Sequence, residues 1–431
     1  MTTPNPTLST ALIEHCRSQF PALARRHDDQ EAVYLDGPAG TQVPQSVIDA
    51  ISHYYSTCNA NHGGLFATSR ESDTLVAEAH RALADFVGGD DPDEIIFGAN
   101  MTTITFAFSR ALSQQWHSGA NIVVTQLDHD ANVSTWALAA QDRGVDVRYA
   151  QINPADCTLD VDDLKSKIDQ RTQLVAVGLA SNSSGSINPV AEICQYARQY
   201  DALSFIDAVH YAPHRLIDVQ KIGCDMLACS TYKFFGPHIG VLWGKKSLLT
   251  KLRPYKVEPA ANNTPDKWMT GTQNFACLCG ARAAVDYIAN IGHSVADDGS
   301  LSRRSALQIA YKAIEDYENT LCQRLLAGLE NIADSNGITI HGISTNGDLR
   351  NRVPTVSISH PTWTSAQLAE ALGDYEIYTW HGNYYALQLT RALQLEPEGM
   401  LRLGLVHYNT PQEVDRLLLT LSAILKDDPP A

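Results

Sequence analysis

The segment Phe205–Trp243, FIDAVHYAPHRLIDVQKIGCDMLACSTYKFFGPHIGVLW, carries the clearest pattern for predicting the fold. It holds the end of one apolar run, ALSFI, and two further runs, MLAC and GVLW, that are typical of buried strands. Asp207 and His210 follow the first run, and STYK at positions 230–233 follows the second. Ligands of open α/β sheets bind at the carboxyl ends of strands, so these residues are candidates for a functional site.

Apolar runs upstream extend this pattern to seven predicted strands. They are Glu94–Gly98, Asn121–Gln126, Val145–Ala150, Leu174–Leu179, Ala202–Ile206, Met226–Cys229 and Gly240–Trp243. Helical patterns between several of them predict βαβ units and a mostly parallel sheet. After about residue 300, a long helical pattern, short strands and a closing helix predict a smaller α+β domain. We therefore expect an N-terminal arm (1–30) packing with the small domain, a large domain (31–290) and a small C-terminal domain (291–431).

The composition excludes global disorder and disfavours several classes of partner. Hydrophobic residues make up 44% and charged residues 19% of the 431 positions, as in chains with a large core. The formal net charge of −16, without a large basic patch, disfavours nucleic acid and anionic membranes as partners. The sequence has neither a run of 18 apolar residues nor the pattern of a secretory signal. The nine scattered cysteines are typical of reduced thiols in the cytoplasm, and their spacing predicts no metal site.

Lys233 is the most informative lysine because aromatic residues and a Gly-Pro turn flank it. An amine in an apolar pocket has a lowered pKa, which favours its attack on an aldehyde to form a Schiff base. A stem packed on Phe234, with the charged head in water, explains the fragment as well. Asp207 would be partly buried, and a protonated pyridine nitrogen is one partner for such a carboxylate. The alternative role for Asp207 is a helix N-cap.

The segment Asn100–Thr103 precedes a helical pattern. Thr102 and Thr103 could offer hydroxyl and free N–H groups to an anion such as a phosphate, because a helix N-terminus favours negative charge. A simple N-cap explains these residues equally well. Each pattern is weak by itself, but polar clusters after successive strands together predict one binding site.

Over residues 20–425 the sequence resembles the class V aminotransferase family, specifically the cysteine desulfurase-like branch of fold-type I pyridoxal-phosphate enzymes. The matching motifs are YLDGPAGTQVPQSVIDAI, SNSSGSINPV, TGTQN, LRLGLVHYNTPQEVDRL and the opening stretch with its Asp and its Lys-x-x-Gly-Pro core. The resemblance implies the fold-type I architecture, the cofactor pyridoxal 5'-phosphate and an obligate homodimer with shared active sites.

The resemblance also implies roles for individual residues. The implied catalytic residues are Lys233, which would bind the cofactor covalently, Asp207, which would pair with the ring nitrogen, and His210 near the ring oxygen. The further cofactor-binding residues that it implies are Thr102, Thr103, His129, Asp130, Asn182, Ser230, Tyr232 and Thr272, the last reaching the phosphate of the neighbouring subunit. The substrate-binding residues that it implies are Arg402, which would clamp the α-carboxylate, and His381, Asn383 and Tyr384.

Three departures from the family pattern bear on function. The desulfurases carry a cysteine nucleophile on a loop after a segment like EIYTWHGNYYAL, whereas this chain has no cysteine after Cys322. Without that thiolate the usual persulfide route is closed. The ring-stacking histidine aligns with Asp130, so either His129 takes over the stacking or the electrostatics of the ring face differ. Gly63 and Gly64 stand where an arginine is usual, which predicts a remodelled substrate pocket.

The predicted function is that of a pyridoxal-phosphate-dependent enzyme acting on an amino acid through an external aldimine. It would be cysteine desulfurase-like or a Cβ–S lyase, since β-elimination needs no cysteine nucleophile. An amino-acid epimerase or racemase and an aminotransferase are alternatives within the same family. A catalytically idle scaffold protein is the alternative of a different class, and the intact Lys233, Asp207 and Arg402 argue against it.

Overall fold

The structure, a computed structural model, describes residues 8–27, 30–427 and 429. Residues 1–7 and 28–29 of the predicted N-terminal arm lie outside the described residues, as do residues 428, 430 and 431 of the predicted small domain. The α-helices are α1 Thr10–Ser18, α2 Gln45–Thr57, α3 Ala67–Val87, α4 Met101–Ser113, α5 Ser134–Gln141, α6 Val161–Ser166, α7 Val190–Arg198, α8 Val219–Ile222, α9 Lys246–Lys251, α10 Phe275–Ala296, α11 Arg303–Asn336, α12 Ser365–Gly373, α13 Leu387–Ala392 and α14 Pro411–Ile424. Over the described ranges, none of these helices combines the length and the apolar character that a membrane crossing requires.

The β-strands of the described residues are two to seven residues long. They are β1 Arg26–His27, β2 Gln30–Glu31, β3 Val33–Tyr34, β4 Ile95–Gly98, β5 Asn121–Thr125, β6 Asp146–Ala150, β7 Ile152–Asn153, β8 Thr158–Leu159, β9 Thr172–Gly178, β10 Leu203–Asp207, β11 Met226–Ser230, β12 Gly240–Gly244, β13 Thr339–His341, β14 Thr355–Ser359, β15 Ile377–Tyr378, β16 Trp380–Gly382 and β17 Met400–Gly404.

The seven predicted strands form one central sheet in the order β4-β12-β11-β10-β9-β5-β6. Within this sheet β12 runs antiparallel to both neighbours, and the other pairs are parallel. The predicted mostly parallel sheet is therefore confirmed. The inner strands β9, β10 and β11 are almost entirely buried, which explains why they read as continuous apolar runs.

The parallel alignment brings the carboxyl ends of β5, β9, β10 and β11 to one edge of the sheet. Asp207 ends β10, and its register partners are Gly178 at the end of β9 and Ala228 in β11. Ser230 ends β11 on the same edge. The polar residues that follow successive strands in the sequence therefore lie beside one another.

The C-terminal part of the chain forms the predicted α+β layer. Its antiparallel sheet has the order β13-β14-β17-β16. Apolar side chains of β14 and β17 pack against α11, α12 and α14 in a core of their own. This layer carries Arg402 in its inner strand β17 towards the edge of the central sheet.

The 34-residue helix α11 joins the two layers. Its first half, from Ala306 to Ile314, packs in the apolar core beside the central sheet, which we call the main core. Its second half, from Leu321 to Ile332, packs in the core of the C-terminal α+β layer, which we call the small core. The predicted boundary at residue 290 falls within α10. The division of the chain into an arm and two domains stays a prediction.

Gly292 of α10 lies against the backbone of α11, where a Cβ atom would come within 1.9 Å of the Ala306 carbonyl oxygen. Gly292→Ala is therefore expected to lower the free energy of unfolding by about 1–3 kcal/mol, because backbone must shift to admit a methyl group. Gly299→Ala is the control, since a Cβ atom there meets nothing within 4 Å. Denaturant titration of both variants measures the difference, and equal stabilities would contradict the close helix approach.

Candidate active site

A cavity of about 210 Å³ lies between the carboxyl edge of the central sheet and the strands β16 and β17. Most of the predicted site residues line it, namely Thr102, His129, Asn182, Asp207, His210, Ser230, Tyr232, Lys233, Tyr384 and Arg402. The folded chain thus gathers into one place side chains that are up to three hundred positions apart in the sequence.

Lys233 lies in a single 3₁₀ turn directly after β11 and is half-buried. Its Nζ donates hydrogen bonds to the carbonyl oxygens of Pro38 and Ala39, the latter at 3.0 Å, and lies 4.8 Å from the centre of the Tyr232 ring. Burial, reinforced by the Arg402 cation, lowers the pKa of Lys233 to about 7. An amine with this pKa is substantially neutral near pH 7, and the neutral form is the one that attacks an aldehyde.

Two buried carboxyl groups, Asp207 and Asp128, line the cavity at the sheet edge. Val209 N donates to Asp207 Oδ1 at 2.8 Å, while Gly178 N and Asn132 Nδ2 donate to Asp128 at 2.7 and 3.1 Å. Burial raises the pKa of Asp207 to about 6, and burial together with the Asp207 charge raises the pKa of Asp128 to about 8. Near neutral pH, Asp207 is therefore the carboxylate suited to a cationic ring nitrogen, and Asp128 is mostly protonated.

The chain after Asp207 forms turns at residues 209–214, so the helix N-cap considered for this aspartate is contradicted. His210 is buried in these turns and lines the cavity. Its Nε2 is 3.0 Å from Thr355 Oγ1, and its ring meets the His214 ring edge-on at 5.6 Å. Burial lowers the pKa of His210 well below its usual value, so the ring is neutral.

The N-terminus of α4 opens onto the same cavity. Asn100 caps the helix, because its Oδ1 accepts hydrogen bonds from Thr103 N and Oγ1, both at 2.9 Å. Thr103 is thus engaged in the cap, whereas Thr102 lines the cavity. Met101 N donates to Ser230 Oγ at 3.3 Å, which holds the helix start against the end of β11. A helix N-terminus beside hydroxyl groups is suited to an anion.

His129, rather than Asp130, places its side chain on the cavity wall. Its Nδ1 accepts a hydrogen bond from Ala131 N at 3.0 Å, and its ring stacks on Tyr385 at 5.4 Å. Burial, with the nearby cations, lowers the pKa of His129 to about 4, so the ring is neutral. Asp130 instead accepts a hydrogen bond from Ser134 Oγ at 2.7 Å. Of the two hypotheses for this segment, stacking of His129 on the cofactor ring agrees better with this geometry than an altered charge at the ring face.

Arg402 reaches the cavity from β17 and is only 3% exposed. Its Nη1 donates to the Asn182 carbonyl oxygen at 2.7 Å, and its Cζ lies 4.2 Å from the centre of the Tyr384 ring. Among the described residues, its Nε has no hydrogen-bond partner. Asn182 Nδ2 donates to the Tyr384 carbonyl oxygen at 2.9 Å, while its buried Oδ1 has no partner within the described part of the chain. Buried polar atoms of native proteins are normally bonded, so these atoms point to a bound ligand. A guanidinium with a free Nε is suited to a carboxylate.

Five predicted residues lie off the cavity wall. Thr103 and Asp130 are engaged as described, and Thr272 is exposed in the loop before α10. His381 and Asn383 line a neighbouring surface depression. In the subunit described, none of these five residues lines the cavity that contains Lys233.

Several cavity residues received no role in the sequence analysis. Pro38 and Ala39 lie in the motif YLDGPAG, but nothing in the motif shows that their carbonyl groups meet Lys233. Asp128 begins the polar cluster DHDAN, and the signal that could have identified it is its position directly after a buried strand. Trp380 gave no signal, because only the pairing of β16 with β17 brings it to the cavity.

The site combines an amine of low pKa, a buried carboxylate, a helix N-terminus with hydroxyl groups and a guanidinium with a free donor. Pyridoxal 5'-phosphate fits this set, since it has an aldehyde, a basic ring nitrogen and a phosphate. Tyr232, which stands where the family has a histidine, lines the cavity and stacks on His238 at 4.8 Å. The fold is that of the fold-type I pyridoxal-phosphate enzymes.

Comparison with known proteins agrees with this fold. The family model for aminotransferase class-V matches residues 33–417, and the chain belongs to this family of pyridoxal-phosphate-dependent enzymes. The predicted family and enzyme class are thus confirmed. Within the described residues, no cluster of three or more His, Cys, Asp or Glu side chains could hold a metal ion.

Similar proteins cover nearly the whole chain. A cysteine desulfurase of Yersinia pseudotuberculosis serotype O:1b (strain IP 31758) is 30% identical over 429 residues, which cover 96% of this chain and 98% of that protein. A cysteine desulfurase of Yersinia pestis is 29% identical with the same coverage. The apo cysteine desulfurase of Thermococcus onnurineus NA1 superposes with a TM-score of 0.84 at 24% identity, and covers 96% of this chain and 98% of that one. This last likeness supports the fold alone.

The low pKa of Lys233 predicts how its reactivity depends on pH. In protein freed of cofactor, the rate of Lys233 modification by an amine reagent should rise with pH through about 7 and then level off, because only the neutral amine reacts. Pulse labelling followed by peptide mass spectrometry measures this rate, with the exposed Lys251 in the same digest as the reference. A Lys233 profile that coincides with that of Lys251 would contradict the lowered pKa.

Proposed function

We propose that this protein is a pyridoxal-phosphate-dependent enzyme that breaks the Cβ–S bond of cysteine or a cysteine derivative by β-elimination. The observation that carries the proposal is the meeting of Lys233, Asp207 and Arg402 in one cavity. None of the nine cysteines, all in the described part of the chain, lines that cavity. The similarity to cysteine desulfurases supports a sulfur-containing amino acid as substrate.

The residues that would hold the cofactor follow from the chemistry of the cavity. Lys233 would bind its aldehyde carbon, and Asp207 would hold its ring nitrogen in the protonated form. Thr102, Ser230 and the N-terminus of α4 would bind the phosphate, and the neutral His129 ring would cover one face of the cofactor ring. Pyridoxal phosphate, when bound, supplies an electron-withdrawing ring that stabilises negative charge at the substrate Cα.

Arg402 would orient the substrate. Its guanidinium, held by the Asn182 carbonyl oxygen and the Tyr384 ring, lines the cavity and would donate to the α-carboxylate. Because the guanidinium is already buried and held, little conformational entropy is lost when the carboxylate binds. The carboxylate would also offset the cost of burying the guanidinium cation.

Lys233 would move the proton. Once the substrate amine has displaced it, its neutral Nζ can accept the proton from Cα, since its pKa lies near 7. The sulfur then leaves Cβ with the bonding electron pair and takes up a proton. For cysteine itself, the substrate and one water give hydrogen sulfide, pyruvate and ammonia, so that atoms and charge balance. No thiolate of the protein is needed for this route.

We also propose a cytoplasmic homodimer that acts on a small amino acid and binds neither nucleic acid nor membrane. The nine cysteines, described as free thiols, support a reducing compartment. Leu65 and Phe66 are 89% and 57% exposed, and Tyr255 and Val257 are 67% and 68% exposed, which is unusual for apolar residues close together in sequence. In this proposal they pack against the second subunit, and the exposed Thr272 reaches the phosphate bound by that subunit.

The products distinguish elimination from the alternatives. Wild-type protein given pyridoxal phosphate and L-cysteine should release sulfide and pyruvate in equal amounts, and Lys233→Ala should lose this activity by a factor of at least about 10³. Lys251→Ala is the matched control and should behave as wild type. Loss of optical rotation without pyruvate would indicate a racemase, and conversion of the cofactor to its amino form would indicate an aminotransferase. A folded protein that takes up no cofactor would support the scaffold alternative.

Subunit mixing tests the shared site. Lys233→Ala and Thr272→Ala should each weaken cofactor binding, and refolding an equal mixture should restore native affinity at one site of each mixed dimer. That site combines Lys233 of one subunit with Thr272 of the other. Equilibrium dialysis with pyridoxal phosphate measures the affinity. If Thr272 served its own subunit, the mixture would gain no native site.

A further inference from the structure

Three aromatic side chains, Trp380, Tyr384 and Tyr385, line the same cavity as Lys233 and Arg402. We call these three residues the aromatic wall. They lie in β16 and in the segment that leads to α13. Tyr384 is buried, while Trp380 and Tyr385 are 51% and 71% exposed, so two large rings stand at the cavity mouth with much of their surface uncovered.

Strand register places the aromatic wall next to the carboxylate anchor. Trp380 and Arg402 are directly opposite each other in the antiparallel pair β16–β17. Side chains at opposite positions of such a pair lie on the same face of the sheet, with Cβ atoms about 5 Å apart. The Tyr384 ring covers one face of the Arg402 guanidinium at 4.2 Å. An amino acid whose carboxylate binds Arg402 therefore has its own side chain within reach of these rings.

Hydrogen bonds fix the segment that carries the two tyrosines. Asp130 N donates to the Tyr385 carbonyl oxygen at 2.7 Å, and Tyr385 N donates to Asn383 Oδ1 at 3.1 Å. Asn182 Nδ2 donates to the Tyr384 carbonyl oxygen at 2.9 Å. The Tyr385 ring also stacks on His129. The rings are thus held in position from both layers of the protein before any ligand arrives.

The backbone of this segment is strained. Tyr384 and Tyr385 have φ angles of 52° and 60°, in the left-handed region that bulky residues rarely adopt. Two consecutive residues of this kind carry a conformational cost that the surrounding structure must offset. Backbone strain at a cavity mouth is typical of functional positions. The conformation turns both tyrosine rings towards the cavity that holds Lys233.

We propose that the aromatic wall selects amino acids with an aromatic or broad apolar side chain. This inference rests on the proposed function, under which the substrate is a cysteine whose sulfur carries such a group. Planar rings stack on Trp and Tyr, and such pairs are stabilising beyond the area they bury. A methyl or unsubstituted thiol is too short to cover the exposed faces of Trp380 and Tyr385. The Arg402 cation beside the wall disfavours a cationic side chain, although cations also bind aromatic faces.

The test is a comparison of binding constants for three thioethers of equal backbone. The cofactor-loaded protein is titrated with S-benzyl-L-cysteine, S-methyl-L-cysteine and S-(2-aminoethyl)-L-cysteine. Binding is followed by the cofactor absorption band and, independently, by quenching of tryptophan fluorescence. The variants are Trp380→Ala, Tyr385→Ala, the aromatic replacement Trp380→Phe, and Tyr375→Ala. Tyr375 is a comparably exposed tyrosine, at 48%, outside the cavity.

S-benzyl-L-cysteine should bind wild-type protein at least about tenfold more tightly than the other two compounds. Trp380→Ala and Tyr385→Ala should each weaken its binding about tenfold, while changing that of S-methyl-L-cysteine by less than about twofold. Trp380→Phe should retain most of the affinity, and Tyr375→Ala should match wild type. Cofactor uptake by each variant shows that it has folded.

Equal affinities of the three thioethers for wild-type protein would overturn the proposal, as would preference for the aminoethyl compound. Tight binding of S-benzyl-L-cysteine that survives both alanine variants would overturn it as well. The binding test is independent of the reaction. Selective binding without release of thiol and pyruvate would support the side-chain preference and refute elimination. Pyruvate release without selective binding would support elimination and refute the side-chain preference.

Discussion

The parallel hydrogen bonding of β9, β10 and β11 is the constraint on which the rest of the site depends. It sets Gly178, Asp207 and Ser230 at the same edge of the sheet, because parallel strands end together. A Cβ atom at Gly178 would lie 2.6 Å from Asp128 Oδ1, so the missing side chain makes room for the second carboxyl group. From this edge, the turn after β11 brings Lys233 to the wall of the cavity.

The electrostatics of the cavity follow from how little water reaches it. Burial is the first cause of the shifted pKa values of Lys233, Asp128, Asp207 and His129. Burial favours the neutral forms of an amine, a carboxylic acid and an imidazole alike, so a site with many titratable groups holds few charges near neutral pH. Two groups stay charged: the Asp207 carboxyl, whose pKa of about 6 leaves it mostly ionised, and the Arg402 guanidinium, which stays protonated even with its pKa lowered to about 10. The Arg402 cation makes the β17 side of the cavity a second place for an anion, besides the N-terminus of α4.

The sequence predicted the architecture well because buried parallel strands produce contiguous apolar runs of typical strand length. All seven strands were located within one or two residues. Glu94 is a small exception, since it closes the 3₁₀ turn Pro92–Glu94, which Asp91 caps, instead of starting β4. The polar clusters after strands, together with the family resemblance, also indicated Lys233, Asp207 and Arg402.

What the sequence could not predict depends on contacts between distant segments. The carbonyl groups of Pro38 and Ala39 accept hydrogen bonds from Lys233, which is almost two hundred positions away in the sequence. Every residue has a backbone carbonyl group, so the residue types do not reveal this contact. The choice between His129 and Asp130 was open until the local turn showed which side chain points inwards. Trp380 reaches the cavity only through the register of β16 against β17.

Helix α11 has a mechanical consequence. The same 34 residues contribute to the main core at one end and to the small core at the other. Unfolding of either core would therefore expose apolar side chains of the shared helix to water. Lys233 and Arg402 belong to opposite layers, and α11 packs against both layers. The two layers are accordingly expected to melt in a single cooperative transition, and the width of the gap between amine and guanidinium is set by the scaffold and not by a hinge.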